Sequence, residues 1–305
     1  MTSQDAPRQP ALARAAFDRA ADERADAQLV ARLRSDPRTR VVVVHGDRAP
    51  VVGGELRYVD ADAVIGDVQW AFLGRGADGA GILVAAAADD APAPLAAASG
   101  SSLEWGALRA VGGELAPEEA AVFVAALALG RWLVDAPYCP RCGGDTRLTQ
   151  AGWSRTCAVC GREHFPRTDP AIIVAVTDAD SERLLLGKNA QWASRNMFSA
   201  FAGFVEAGES LEAAIVREIE EEAGVLVHDL RYRGSQAWPY PRSLMLGFHA
   251  VAADGVRARP DGEEIVEVRW FTRPELVDAF AGVGDVRLPG AASIAHRLIR
   301  DWVES

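Results

Sequence analysis

Apolar and polar positions alternate in two different rhythms along this chain. In "TRVVVVHGDRAPVV", residues 39–52, two apolar blocks flank a Gly-Asp turn, which predicts a strand, a turn and a second strand. "VQWAFLG" and "AGILVAAAA" predict further strands. "DDAPAPLAAASGSS" has the Pro, Ala and Ser content of a loop, and "SLEWGALRAVG" reads as a short helical segment. "LAPEEAAVFVAALALGRWLVDA" predicts a long helix: Pro117 lies near its start, and Glu118 and Glu119 suit the positive N-terminal end. Before all of these, "ALARAAFDRAADERADAQLVARLR" predicts a polar helix or a partly disordered segment. The second half repeats the strand rhythm. "PAIIVAVTD" and "RLLLGKN" predict a hairpin-like pair, and "MFSAFAGFVE" leads into an acidic helix. "RYRGSQAW", "SLMLGFHAVAA" and "EIVEVRWFT" predict more strands, and "ASIAHRLIRDWVE" a closing amphipathic helix.

These elements predict an α+β protein in three parts: a mixed α/β domain over 1–135, a four-cysteine ribbon over 136–168, and a further region of strands and helices over 169–305. The length of 305 residues suits that count. The longest apolar run, around Ala120 to Leu129, is too short for a membrane span, and the first ten residues lack the apolar core of a signal peptide. A cytoplasmic location is the expectation. The formal charge of -11 argues against tight general binding to nucleic acid or anionic membrane. It leaves room for an anionic substrate, because a bound divalent cation reverses the charge locally.

The four cysteines form two C-x-x-C pairs, Cys139/Cys142 and Cys157/Cys160, with fourteen residues between the pairs. Two residues between ligands let a tight knuckle aim both sulfurs at one point, and four thiolates surround one Zn²⁺ tetrahedrally. Gly143, Gly144 and Gly161 follow the second cysteine of each pair, where such turns need a permissive backbone. The expectation is one structural zinc per chain, closed to catalysis. Arg141, Arg147, Arg155, Arg162 and Arg167, with Trp153 and Phe165, surround the quartet, a composition that also suits contact with single-stranded nucleic acid.

"GFVEAGESLEAAIVREIEEEAGV", residues 203–225, poses a sharper problem. Glu218, Glu221 and Glu222 are spaced three and four apart, so they share a helical face and repel one another. Gly203 is followed after five residues by Glu209, and after seven more by Arg217-Glu218-Ile219-Glu220-Glu221-Glu222-Ala223-Gly224-Val225. That spacing resembles the Nudix box at every defining position, which implies a Nudix hydrolase domain from about Asp169 to Ser305, with that family's mixed sheet between helices. The chemistry behind it is direct: hard cations bind carboxylate oxygens, bridge phosphoryl oxygens and acidify water. By resemblance, Glu218, Glu221 and Glu222 are the catalytic glutamates and ligands of Mg²⁺ or Mn²⁺, with Glu264 a further ligand for which Glu263 and Glu267 compete. Any of the box glutamates can serve as general base. Glu209 and Arg217 are expected to pair, Gly203 and Gly224 to be backbone necessities of the two loops, and Glu206, Glu212 and Glu220 to be solvated.

A second motif, "SQAWPYPRS", Ser235 to Ser243, resembles the signature of the NADH pyrophosphatase family of Nudix hydrolases, which also carries a zinc ribbon ahead of its Nudix domain. Ala237 stands in place of the usual proline and Tyr240 in place of phenylalanine. Pro239 and Pro241 stiffen a turn that displays Trp238 and Tyr240. The resemblance implies substrate contacts from Gln236, Trp238 and Tyr240, base stacking by Phe204 and Phe165, and a backbone contact from Ala295. His164 and His249 are read as structural. The implied reaction is cleavage of the NADH or NAD⁺ pyrophosphate to nicotinamide mononucleotide and AMP, with removal of NAD caps from RNA 5′ ends as a related activity and a homodimer as the assembly. A broader nucleoside-diphosphate hydrolase, acting for example on ADP-ribose, and a non-catalytic nucleotide sensor are the alternatives.

Overall fold

The computed structural model describes residues 9–13, 17–96, 103–253 and 257–305. The chain divides into two compact units, one formed by residues 12–168 with 238–242, the other by residues 1–11, 169–237 and 243–305.

In the first of these, the apolar blocks become a six-stranded mixed sheet. Helix α1 (Leu29–Arg34) precedes β1 (Arg40–His45), β2 (Arg48–Val52), β3 (Glu55–Leu56), β4 (Gln69–Arg75), β5 (Gly81–Ala87) and β6 (Glu104–Ala107), in the order β3-β2-β1-β5-β4 with β6 on β2. Strands β1 and β5 run parallel and are buried along nearly their whole length, as their unbroken Val and Ala runs require. Helix α2 (Leu108–Val111) follows β6 directly. The segment expected to be helical over 102–112 is thus half strand: Trp105 pairs opposite Pro50, and only its second half turns. A tryptophan beside a sheet edge gains more from cross-strand packing than from one more helical turn. Helix α3 (Pro117–Asp135) begins and ends where the sequence predicts and packs on this sheet through Ala120, Phe123 and Leu127, all fully buried. The polar N-terminal segment is broken into 3-10 turns, Ala11–Ala13 and Ala21–Ala25, and α1, rather than one helix. Its residues 14–16, and the end of the expected loop at 97–102, lie outside the described residues.

The ribbon belongs to the same unit. It is a three-stranded antiparallel sheet of β7 (Thr146–Thr149), β8 (Ser154–Cys157) and β9 (Glu163–His164). Two hydrogen bonds tie it to the rest of the unit: the Trp153 indole N–H donates to Phe72 O at 2.6 Å, and Arg155 Nη2 donates to Leu133 O at 2.5 Å.

The second unit is a sheet with helices on both faces. Its strands are β10 (Asp169–Thr177), β11 (Arg183–Asn189), β12 (Phe201–Phe204), β13 (Val227–Trp238), β14 (Ser243–Ala252) and β15 (Ile265–Thr272), in the order β13-β14-β10-β11-β15 with β12 on β10. Alternation sorts β10 between two cores. Ile172, Val174 and Val176 pack with Ile215 and Ile219 of α4 (Leu211–Ala223), while Ile173 and Ala175 pack with Leu276 of α5 (Arg273–Phe280) and Leu298 of α6 (Ile294–Val303). Helix α5 carries no expectation from the sequence pattern. Thr272 and Glu275 form a capping box at its start, with Pro274 in the first turn. Among the described residues no helix is long and apolar enough to cross a membrane.

Candidate active site and zinc ribbon

The box glycine lies in a strand and the box glutamates in the second half of the next helix, so the packing of that helix on β12 fixes where the carboxylates fall. Gly203 pairs opposite Ile172. It lies within β12 rather than in a loop, and it lacks the positive φ that a turn glycine would show. The need for glycine is steric: a Cβ here would collide with the Glu218 carboxyl group. Gly224 does match its expectation, ending α4 with φ 63°. Ser210 caps the other end, accepting from the Ala213 N–H at 3.2 Å.

Arg217 satisfies most of the charge on this face. Its Nε and Nη2 fork the two Glu209 oxygens at 2.9 Å each, the pairing expected from the sequence. The same guanidinium reaches Glu218 Oε1 at 2.9 Å, Glu221 Oε2 at 3.1 Å and the Phe204 carbonyl at 3.1 Å. Hydrogen bonding from Arg217 draws the Glu209 carboxyl down to about 2.

Glu222 has no such partner. It is buried at 5% exposure, and its Oε2 has no hydrogen-bond partner. Burial first, then the charges of Glu264, Glu218, Asp261 and Glu221, push its carboxyl up to about 8. Burial likewise raises Glu218, offset in part by Arg217. A buried carboxylate facing further carboxylates is costly unless a cation neutralises it. The donor set therefore fits a hard divalent ion.

The late glutamates separate by their partners. Glu267 is engaged by the Lys188 ammonium. Glu264 accepts from Asn189 Nδ2 at 3.2 Å, and its charge acts on both Glu218 and Glu222. The Glu263 backbone N–H donates to Asp261 Oδ1 at 3.0 Å. Of the three, Glu264 is the one the fold brings to the box glutamates. Glu206, Glu212, Glu220 and Glu221 are exposed.

The remaining expected contacts fall in two groups. In the Nudix unit, Phe204 projects at 54% exposure, directly after the glycine that accommodates Glu218. Gln236 is buried at 1% exposure; its Nε2 donates to Ala292 O at 2.9 Å and its Oε1 is unpartnered. Ala295 is buried, and its N–H donates to Ser293 Oγ at 3.2 Å. His249 is a core group: its Nε2 lies 3.1 Å from Leu298 O, and burial lowers its ring to about 4. In the other unit, Phe165 is exposed at 58%. The Trp238 and Tyr240 rings pack at 4.9 Å between centroids, and the Tyr240 hydroxyl accepts the Arg109 backbone N–H at 2.8 Å. That acceptor role was not visible in the sequence, since Arg109 carries no motif.

The cysteines converge. Among the described residues, the ligand atoms of Cys139, Cys142, Cys157 and Cys160 all lie within 4.8 Å of one another, a closeness that no three of the box carboxylates reach. The two knuckles are built alike: Gly143 N–H returns to Cys139 O at 2.9 Å, and Gly161 N–H to Cys157 O at 3.1 Å. Gly143 and Gly161 take φ of 72° and 70°, as the knuckles require. Gly144 is needed for a different reason, because a Cβ there would press on the Val159 side chain. The N–H groups of Cys160 and Val159 point at Cys157 Sγ at 3.4 Å each and draw its thiol down to about 6. His164 Nε2 lies 3.2 Å from Cys139 Sγ, a supporting contact rather than a further ligand position. Convergent sulfurs with amide donors fit Zn²⁺.

Comparison with known proteins matches both regions of the chain to described domains. Residues 167–288 match the NUDIX domain, and residues 135–165 match the NADH pyrophosphatase zinc ribbon domain. The chain is 38% identical over 312 residues to the NAD-capped RNA hydrolase NudC of Mycobacterium tuberculosis H37Rv, covering 96% of this chain and 94% of that protein. It is 35% identical over 200 residues to the human NAD-capped RNA hydrolase NUDT12, covering 62% of this chain and 43% of the human protein. A NUDIX hydrolase structure from Nitrosomonas europaea aligns with a TM-score of 0.37 and 24% identity, over 50% of this chain and 96% of that one. The chain belongs to the NADH pyrophosphatase family of Nudix hydrolases, the members that carry a zinc ribbon.

Proposed function

We propose that the protein hydrolyses the pyrophosphate of NADH or NAD⁺ to nicotinamide mononucleotide and AMP, and that it cuts the same bond where NAD caps an RNA 5′ end. The observation that carries this reading is the buried Glu222 carboxylate, unpartnered at Oε2 and set among Glu218, Glu221 and Glu264. Nothing in the fold repays the burial of that charge, so its use lies in holding something cationic.

Glu218, Glu221, Glu222 and Glu264 would hold Mg²⁺ or Mn²⁺. When bound, such an ion supplies charge neutralisation for the diphosphate and acidifies the attacking water. The chain's own residues do the rest. Glu209 retains Arg217 through its two-oxygen fork, so Arg217 can release Glu218 and Glu221 toward an ion without losing its place. Gly203 leaves the room in which the Glu218 carboxyl sits. Phe204 offers an exposed ring on which a base can stack. The site acts on the diphosphate and not on the group beyond it, so free dinucleotide and capped RNA present it with the same bond.

The names of the curated relatives support the NAD linkage, and the family resemblance supports a homodimer in the cytoplasm. The deciding experiment is product analysis with NADH, with and without Mg²⁺ or Mn²⁺, on wild type and Glu222→Gln. Equimolar AMP and reduced nicotinamide mononucleotide are expected from wild type with metal only. Binding of NADH without release of AMP would overturn the reading in favour of a sensor.

A further inference from the structure

The ribbon unit contains a second feature apart from the box carboxylates, and of its lining only Phe165 is also an expected substrate contact. A cavity of about 1010 Å³ lies between the C-terminal end of α3 and the ribbon, and its walls are unusually basic for a chain of charge -11. Arg141, Arg162 and Arg167 line it, and among the described residues none of the three has a carboxylate at ion-pair distance. Arg155 also faces it. This side chain is 4% exposed; it donates to Leu133 O and to Thr146 Oγ1, and its guanidinium carbon lies 5.5 Å from the centre of the Trp132 ring. Its Nε has no partner. A buried guanidinium held by neutral oxygens alone lacks a counter-charge, which is costly in the same sense as the orphaned Glu222 carboxylate. Asp135 and Glu163 also border the cavity, and neither pairs with an arginine there. Two rings stand at its edge, Tyr138 at 63% and Phe165 at 58% exposure.

We propose that this cavity is a groove for the ribose-phosphate backbone of single-stranded RNA, with Arg155 as its buried anchor and Arg141, Arg162 and Arg167 as its rim. Guanidinium forks match phosphate oxygens, and exposed rings accept unpaired bases of any sequence. An acidic peptide would use the forks but leave the two rings without a flat partner. In an acidic protein, a local basic groove also selects where a polyanion lands instead of attracting it everywhere. The groove deepens the cap-removal reading and rests on it for the source of the RNA: it would hold nucleotides downstream of the cap.

The test is fluorescence anisotropy with a 5′-hydroxyl RNA of about twelve nucleotides. It uses the full-length zinc-loaded protein without added Mg²⁺ or Mn²⁺, so no bond is cut. Binding should weaken steeply with salt. The double variant Arg141→Gln/Arg162→Gln should lower the slope of log affinity against log salt by about 1.4, the value for two phosphate contacts on a single strand. Its NADH hydrolysis should stay at the wild-type rate. Arg155→Met should lose RNA affinity while keeping its zinc; if it does not fold, the double variant decides. Wild-type affinity and slope in the double variant would overturn the proposal. So would displacement of the RNA by polyglutamate or inorganic phosphate at matched charge concentration. A failure of the hydrolase reading would show separately, as absence of AMP from NADH with the anisotropy result intact.

Discussion

The two clusters of ligating side chains in this molecule are built on opposite plans. The four cysteine sulfurs already converge to within 4.8 Å, each pair held by a backbone knuckle and one sulfur by two amide N–H groups. The box carboxylates are held apart: Arg217 sits among three of them, and the fourth, Glu222, is buried with its Oε2 unpartnered among the described residues. A site whose ligands are fixed by main-chain turns is closed and serves the fold. A site whose ligands are shared with an arginine can be rearranged, and carboxylates can then turn between a protein cation and a metal ion. The difference accords with the structural role of the one cluster and the catalytic role proposed for the other.

The largest effect should come from breaking the closed site. Replacing Cys157 by Ser removes one sulfur and the target of two amide hydrogen bonds. Structural zinc in small domains contributes roughly 10 kcal/mol or more of apparent folding energy. The expected outcome is loss of zinc from one per chain to none by atomic absorption, and a lower thermal transition for the unit that the ribbon shares with α3. A variant that kept zinc and its transition would abolish the contrast.

At the open site the same kind of change should have the reverse balance. Glu222→Gln keeps the shape and deletes the charge. Glu222 would act through the cation it helps to hold, and loss of one electrostatic contributor to a transition state typically costs about a hundredfold to a thousandfold in turnover. Stability should move the other way. The Glu222 carboxyl is raised from an ordinary 4.5 to about 8 by burial. The folded state therefore holds a proton that the unfolded chain releases, so stability is fully present below about pH 4.5 and falls as pH rises toward 8. For protein stripped of divalent ions, the loss is on the order of a few kcal/mol. Urea midpoints measured from pH 5 to 9 should fall in wild type and stay flatter in Glu222→Gln, with the variant more stable at the alkaline end. A variant less stable than wild type at pH 8.5 would show that Glu222 is paired in solution and would remove the basis of the contrast.

A third change addresses why the open site could be read in the sequence only in part. The glutamate spacing was legible because helical neighbours at three and four residues are set by the helix itself. The knuckles were legible for the same reason, each being a local turn. The role of Gly203 was not. It depends on the Glu218 side chain of α4 packing onto β12, a contact between two elements that residue spacing does not show. The strand at Glu104–Ala107 escaped similarly, since its partner β2 lies far back in the chain. Position 155 was visible as one arginine among five; its burial against Leu133 was not. Gly203→Ala tests the long-range half of the site. The added methyl would displace the Glu218 carboxyl, and overpacking of this kind costs about 1–3 kcal/mol. Turnover should fall with it, while zinc content stays at one per chain. Unchanged kinetics would mean that Glu218 adapts freely, and the site would be looser than its packing indicates.

The smallest expected effect concerns Tyr240, which stands where the resembled signature has phenylalanine. In the structure its hydroxyl accepts the Arg109 backbone N–H, and the Arg109 guanidinium carbon lies 5.7 Å from the centre of its ring. Burial, the leading cause, pushes the phenol up to about 12, so it stays protonated throughout the working range and serves as a neutral acceptor. Tyr240→Phe leaves the ring against Trp238 and orphans one N–H, at a cost of about 0.5–1.5 kcal/mol. The thermal transition of the ribbon-containing unit should fall by a few degrees at most, with zinc retained. Its KM for NADH separates the two roles that one residue can have here. An unchanged KM with a lowered transition makes the hydroxyl a support for the turn that carries Trp238. A raised KM at unchanged stability places the hydroxyl on the substrate instead, and the turn would then owe its shape to Pro239 and Pro241 alone.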